Sequence, residues 1–259
     1  MNEKIMPILF VGHGTPMNAI EVNEYSKKWV ELGKSLPHPK AIVTISAHRY
    51  NGGERISRGP SLKMIYDMYG FPDELYEVTY PAKGSPKLTD EILVKIGNKV
   101  KVDNSWGIDH GVRSVLRWMY PEADIPLVML SVDGDMSFKE AFEFGKKLRF
   151  LREEGVLVLA SGNVVHNLNL IDRRAKKPFP RAEKFDSYIK NAIVERRFDD
   201  VIDYKKAGES SRLAFFYPDH FYPLVYLLGL VEEEDKLAIF NESFVYGSLS
   251  MTSYLFYRD

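Results

Sequence analysis

Four apolar runs stand out along the chain: residues 7–11 (PILFV), 41–46 (AIVTIS), 126–131 (PLVMLS) and 156–160 (VLVLA). Each is rich in Val, Ile and Leu and lacks polar alternation, the pattern of a strand covered on both faces. Between them, apolar residues recur near helical spacing. Residues 22–35 carry Val22, Tyr25, Trp29, Val30 and Leu32 in this way, and helical patterns follow at 88–97, 111–119, 137–151 and 182–197. Strands alternating with helices predict an α/β fold with a largely parallel central sheet. Residues 51–84 are richer in Gly, Pro and Tyr and read as an excursion over that sheet. Residues 236–257 read as two short strands joined by Gly247. No repeat, low-complexity tract or linker divides the 259 residues, so one domain, 1–259, is expected.

Composition narrows the chemistry. The formal charge is −1, so no global basic field points to nucleic acid or an anionic membrane. No apolar run reaches the length of about 18 residues that a transmembrane helix needs. The opening MNEKIMPILFV is too short an apolar segment for a signal peptide, and a cytoplasmic location is the expectation. Cysteine is absent, which excludes disulfides, thiolate catalysis and Cys-ligated metals. A metal would have to use imidazole, carboxylate or water. Residues 172–181 (DRRAKKPFPR) form a basic loop, either a solvated connection or a cover that attracts an anion. A homo-oligomer is left open.

The chain has six histidines, and their placement is uneven. His13 stands between Gly12 and Gly14 at the end of the first strand-like run, where the glycines permit a sharp turn and give a ligand room to approach. His48 lies just past the run at 41–46, and His166 just past the run at 156–160. His110, before Gly111, opens a helix, and His220 follows the helix-start signal Pro218-Asp219. In an open α/β sheet, ligands gather beyond the carboxyl ends of the strands. The strand-borne imidazoles His13, His48 and His166 would all reach that edge. Each alone reads equally as a hydrogen-bonded residue of a strand or helix end. Their convergence does not. His38, between two prolines, has no assigned role.

Taken in order, GHGTP (12–16), SAHR (46–49), DHG (109–111), GNVVHNL (162–168) and PDHFYPL (218–224) resemble the LigB-like (class III) extradiol aromatic ring-opening dioxygenases, in the DOPA 4,5-dioxygenase branch. The resemblance runs over residues 7–257. It implies a single α/β domain around a mixed central sheet and one non-haem Fe(II), with Zn(II) also found in related proteins. By motif, it implies His13, His48 and His220 as metal ligands. It gives His166 as the acid/base histidine or a fourth ligand, and His110 as a neighbouring or substrate-contacting residue. Another branch of the family has a glutamate as third ligand where this chain has His220. Asp219 stands next to it, leaving the donor open by one residue.

The implied chemistry suits these residues. Three protein ligands on one face of a metal leave room for a catechol and O2. Neutral imidazoles leave the ion's charge uncancelled, which favours a catecholate. A histidine with a pKa near neutrality can take and return a proton; His166 and His110 are the candidates, with Asn163, Asn167 or Asp109 to orient them. Arg49 and Arg113 could each hold a carboxylate in a bidentate pair, or form an ordinary ion pair. Tyr217, with Tyr50 and Phe216, could wall an aromatic pocket or simply pack. The substrate class is then a small catechol acting with O2. Two other readings use the same residues: a zinc-dependent hydrolase and a non-enzymatic binding protein of the same fold.

Overall fold

The computed structural model describes residues 5–97 and 100–259; residues 1–4 of the opening segment lie outside them. The strands are β1 (Ile8–Gly12), β2 (Ala41–Asn51), β3 (Arg55–Ile56), β4 (Lys101–Val102), β5 (Leu127–Asp133), β6 (Val156–Gly162), β7 (Lys236–Phe240), β8 (Phe244–Val245), β9 (Leu249–Ser250) and β10 (Ser253–Tyr257). The helices are α1 (Glu24–Ser35), α2 (Asp73–Glu77), α3 (Pro86–Ile96), α4 (His110–Met119), α5 (Phe138–Lys146), α6 (Phe150–Glu153), α7 (Pro180–Val194), α8 (Phe198–Ile202), α9 (Glu209–Ala214) and α10 (Tyr222–Leu230).

Eight strands form one sheet in the order β4-β3-β5-β2-β6-β1-β10-β7. The central strands β5, β2, β6 and β1 are parallel neighbours. Antiparallel pairs flank them, β3 on β5 and β10 on β1, and β7 pairs antiparallel with β10. The sheet is therefore mixed with a parallel centre, an α/β fold as expected.

The unbroken apolar runs follow from two buried faces. Ile8 and Phe10 of β1 enter one core, and Leu9 and Val11 enter the other. Val158 and Ala160 of β6 are likewise opposed by Leu157 and Leu159. With helices on both sides, no strand position needs a polar side chain for water. Helices α1 and α4 pack together over one face, α5 and α10 over the other. Every residue of α10 is buried, so it has no polar stripe. It lies close against α5 because Gly145 and Gly229 leave no space for a side chain where the two backbones meet.

Three expectations are corrected. The pattern at 137–151 is two helices, α5 and α6, broken after Lys146. Residues 236–257 hold four strands, not two. Gly247, at φ 73°, turns only β8 into β9, while β7 and β10 on either side pair with each other and extend the main sheet. Finally, β2 continues to Asn51, so His48 lies within the strand. No helix among the described residues is long and apolar enough to cross a membrane.

Candidate metal centre

The parallel strands deliver their carboxyl ends to one edge, and five histidines meet there. His13 directly follows β1. Its backbone N–H donates to the Gly162 carbonyl at the end of β6, at 3.1 Å. The next residue, Asn163, donates its N–H to the His220 carbonyl at 2.9 Å. Gly162 leaves no space for a Cβ beside that carbonyl, so the end of β6 holds both His13 and His220. The glycines around His13 work differently from expectation. Gly12 and Gly14 make way for Met251, not for a ligand, and Gly14 also takes φ 68°. It is Gly111 that faces the imidazoles: a Cβ there would come within 3.0 Å of His48 and 3.1 Å of His13.

His48 owes its position to an irregularity in β2. Ile45 pairs with Leu130 of β5, but Tyr50 pairs with Val132, so Ser46–Arg49 bulge out of the ladder. His110 begins α4, capped by Asp109, whose Oδ1 accepts from the Val112 N–H at 3.1 Å and the Ser46 hydroxyl at 2.9 Å. Asp109 thereby ties the bulge to the helix.

The rings are close. Centroid separations are 5.0 Å for His13–His48, 5.2 Å for His13–His220 and 4.9 Å for His48–His220. His110 is 3.9 Å from His48 and 5.5 Å from His13. His166 stacks on His220 at 3.5 Å with a 4° tilt. Ligand atoms of His13, His48 and His110 fall within 4.8 Å of one another, as do those of His166, Asp219 and His220.

Hydrogen-bond partners decide which nitrogen of each ring carries its proton. The Ser161 hydroxyl donates to the Gly111 carbonyl at 2.8 Å and lies 2.9 Å from His13 Nδ1. With its proton engaged, that oxygen accepts from His13 Nδ1–H. His48 Nδ1 stands 3.0 Å from Asp67 Oδ2, where a lone pair would be repelled and an N–H attracted. Both Nε2 atoms then present lone pairs, and they face each other at 3.1 Å. Two nitrogens each about 2.0–2.1 Å from one ion, at roughly a right angle, lie about 3 Å apart. His220 adds a buried ring whose nitrogens make no hydrogen bond, with Nδ1 3.2 Å from Asp219 Oδ1. This donor set fits a divalent cation of borderline softness.

Burial, reinforced by the other imidazoles, holds the pKa values of His13 and His220 well below the ordinary histidine value. His166 is lowered likewise, chiefly by burial. Burial also opposes charge on His48, but Asp67 and the nearby charges of Asp109 and Asp219 outweigh it and raise the pKa. Asp67 is partly buried, yet His110 and His48 hold its carboxyl well below the usual carboxylate range.

Other expected residues sit apart from this cluster. Arg49 is buried with Nη1 and Nη2 on the Met129 and Asp103 carbonyls, each at 2.8 Å, so both terminal nitrogens are engaged within the fold. Arg113 is buried over the Tyr66 ring, 4.7 Å from its centroid, with Nη2 3.8 Å from Met68 Sδ. Asn163 and Asn167 donate their side-chain amides to the Ser250 and Leu213 carbonyls, not to an imidazole. Tyr217 and Phe216 are largely exposed and, with His166, Leu168, Asn169 and Asp219, line a cavity of about 200 Å³. Arg173, Arg174, Lys176 and Lys177 are exposed, a solvated connection. The reading of the sequence missed Asp67. It lies in the 51–84 excursion, where nothing in the spacing ties it to a histidine.

The family model of the catalytic LigB subunit of aromatic ring-opening dioxygenase matches residues 7–257. The chain belongs to the LigB family. Within it, this chain is 40% identical to the 4,5-DOPA dioxygenase extradiol of Escherichia coli strain K12, over 98% of its own length and 95% of that protein's. It is 36% identical to the 4,5-DOPA dioxygenase extradiol of Beta vulgaris, over 98% and 97% of the two chains. The crystal structure of an uncharacterized protein from Escherichia coli K12 superposes with a TM-score of 0.84 at 38% identity, covering 96% of this LigB chain and 99% of the other.

Proposed function

We propose that this chain is a metal-dependent extradiol dioxygenase that opens the ring of a catechol-type aromatic, DOPA-like or a catecholic acid, with O2. The metal ligands in this reading are His13, His48 and His220, with Fe(II) as the working ion and Zn(II) as an ion the same donors accept. One catalytic domain carries the activity. The observation that supports this most directly is the 3.1 Å approach of His13 Nε2 and His48 Nε2 with both Nδ1 sides held by acceptors, a spacing that suits a cation between them. His220 is preferred to Asp219 as third donor because its ring nitrogens are buried without hydrogen bonds, whereas Asp219 Oδ1 already accepts the His220 backbone N–H at 2.9 Å.

When bound, the ion supplies adjacent coordination sites for a catechol and O2. The protein's own residues supply the rest. His166 is neutral at physiological pH because it is buried, so it is free to take a catechol proton and return it at ring opening. Its ring stacks on that of His220, which would put it beside a bound ion. His110, beside His48, contacts the substrate's reacting end. Phe216 and Tyr217 receive the aromatic ring at the mouth of the cavity. Arg49 and Arg113 have no part in this reading, since neither guanidinium lines that cavity.

The test is to load the protein with Fe(II) without oxygen, then add a panel of catechols and air. Oxygen uptake with a new visible absorbance is expected for at least one catechol, and its loss in His13→Ala. No uptake with any catechol would overturn the proposal.

A further inference from the structure

The segment between β3 and α3 looks like a cover, but it brings one carboxylate into the centre. Asp67 Oδ2 lies 3.0 Å from His48 Nδ1, and Asp67 Oδ1 lies 3.0 Å from His110 Nδ1. Oδ1 also accepts the His110 backbone N–H at 3.0 Å. A single carboxylate thus faces three nitrogens from two elements that are distant in sequence. The two ring contacts are off the N–H axis, so they act as close charge–dipole contacts more than as linear hydrogen bonds. They still dictate the tautomer, because a ring lone pair at that distance from a carboxylate oxygen is repulsive.

The residues on either side of Asp67 are anchored. Tyr66 lies over the Arg113 guanidinium, and Met68 Sδ accepts from the same group. Met68 and Leu75 join Ala19 in a small core of their own, next to the Pro16–Ala19 turn that follows His13. Arg113 therefore clamps both neighbours of Asp67 from α4, the helix that also bears His110. This gives a physical reason for a fully buried arginine without a carboxylate on its fork.

We propose that Asp67 is a positioning residue of the metal centre, holding His48 and His110 as Nδ1–H tautomers so that both Nε2 lone pairs point inward. The excursion that carries it is then part of the centre. This rests on the reading of His13 and His48 as metal ligands.

The experiment titrates Zn²⁺ into metal-free wild type, Asp67→Asn, Asp67→Ala, His13→Ala and Tyr69→Ala, the last changing an exposed residue of the same segment. Partners of metal-ligating histidines typically carry about 10–100-fold in metal affinity. Asp67→Ala is expected to bind Zn²⁺ within that range more weakly, with Asp67→Asn between it and wild type and Tyr69→Ala unchanged. Long-range ¹H–¹⁵N correlation spectra of the metal-free forms in mildly alkaline solution should show His48 and His110 as Nδ1–H in wild type and as mixed or reversed tautomers in the Asp67 variants. If Asp67→Ala does not fold, the isosteric Asp67→Asn decides by the same two measurements. Wild-type affinity and tautomers in a folded Asp67 variant, with binding lost in His13→Ala, would overturn the role of Asp67 alone. Zn²⁺ binding unaffected by His13→Ala would overturn the metal reading itself.

Discussion

The two halves of the histidine cluster are built differently. On one side, His13 and His48 each have a defined acceptor behind the ring, the Ser161 hydroxyl and the Asp67 carboxylate. On the other, His220 and His166 are held mainly by stacking at 3.5 Å, with the nitrogens of His220 outside any hydrogen bond. The first half is oriented before anything binds. The second is oriented by packing and by the backbone bond from Asn163 to the His220 carbonyl. A pair fixed by acceptors suits permanent ligation, and His166, stacked on the proposed ligand His220, can still change its protonation during turnover.

The largest effect that would break this contrast is loss of a ligand. His13→Ala is expected to abolish stoichiometric metal, measured by elemental analysis of the isolated protein, and all oxygen uptake with it. Next comes His166→Ala, which should slow turnover by about 10²–10⁴-fold, the usual range for a positioned acid/base group. Its metal content should stay near wild type. If metal is lost as well, His166 is a fourth ligand and the two halves are alike. Ser161→Ala should weaken Zn²⁺ binding by roughly 10-fold, at the low end for a partner of a ligating histidine. An unchanged affinity would mean that Ser161 does not orient His13.

The smallest effect is on the pH dependence of the metal-free protein. His13, His110, His166 and His220 have lowered pKa values, so below the ordinary histidine value near 6.5 these groups bind more protons in the unfolded chain than in the fold. Their stabilisation is present above that pH and is lost as pH falls. His48, with a raised pKa, has the opposite sign: its contribution is present below about 6.5 and lost as pH rises. Glu54 and Asp186, buried carboxyls pushed up to about 8 and about 6, share the sign of His48, so the comparison is between variants and wild type. From pH 8 to pH 5.5 the urea midpoint of His48→Gln should drop relative to wild type, and that of His166→Gln should gain on it.

Much of this was legible in the sequence, for a physical reason. Strands buried on both faces must be continuously apolar, and β1, β2, β5 and β6 read that way. Parallel strands end at one edge, so histidines after strand-like runs had to converge. What could not be read depended on pairing across long separations. Asp67 reaches His48 and His110 only because the excursion folds back over α4. The bulge that sets His48 is a mismatch between β2 and β5, visible only when the two are laid side by side. Arg49 and Arg113 follow histidines in sequence, yet Arg49 reaches β5 and Arg113 clamps the Asp67 segment.

The mismatch in β2 has a consequence for engineering. Trimming residues from Ser46–Arg49 until the strand matched β5 step for step would restore regular pairing and, taken alone, a sturdier sheet. It would also remove the irregular stretch that presents His48, since matching the single Ser131 of β5 leaves room for only one of these four residues. The most regular version of this sheet would therefore be blind at the edge where its chemistry is done.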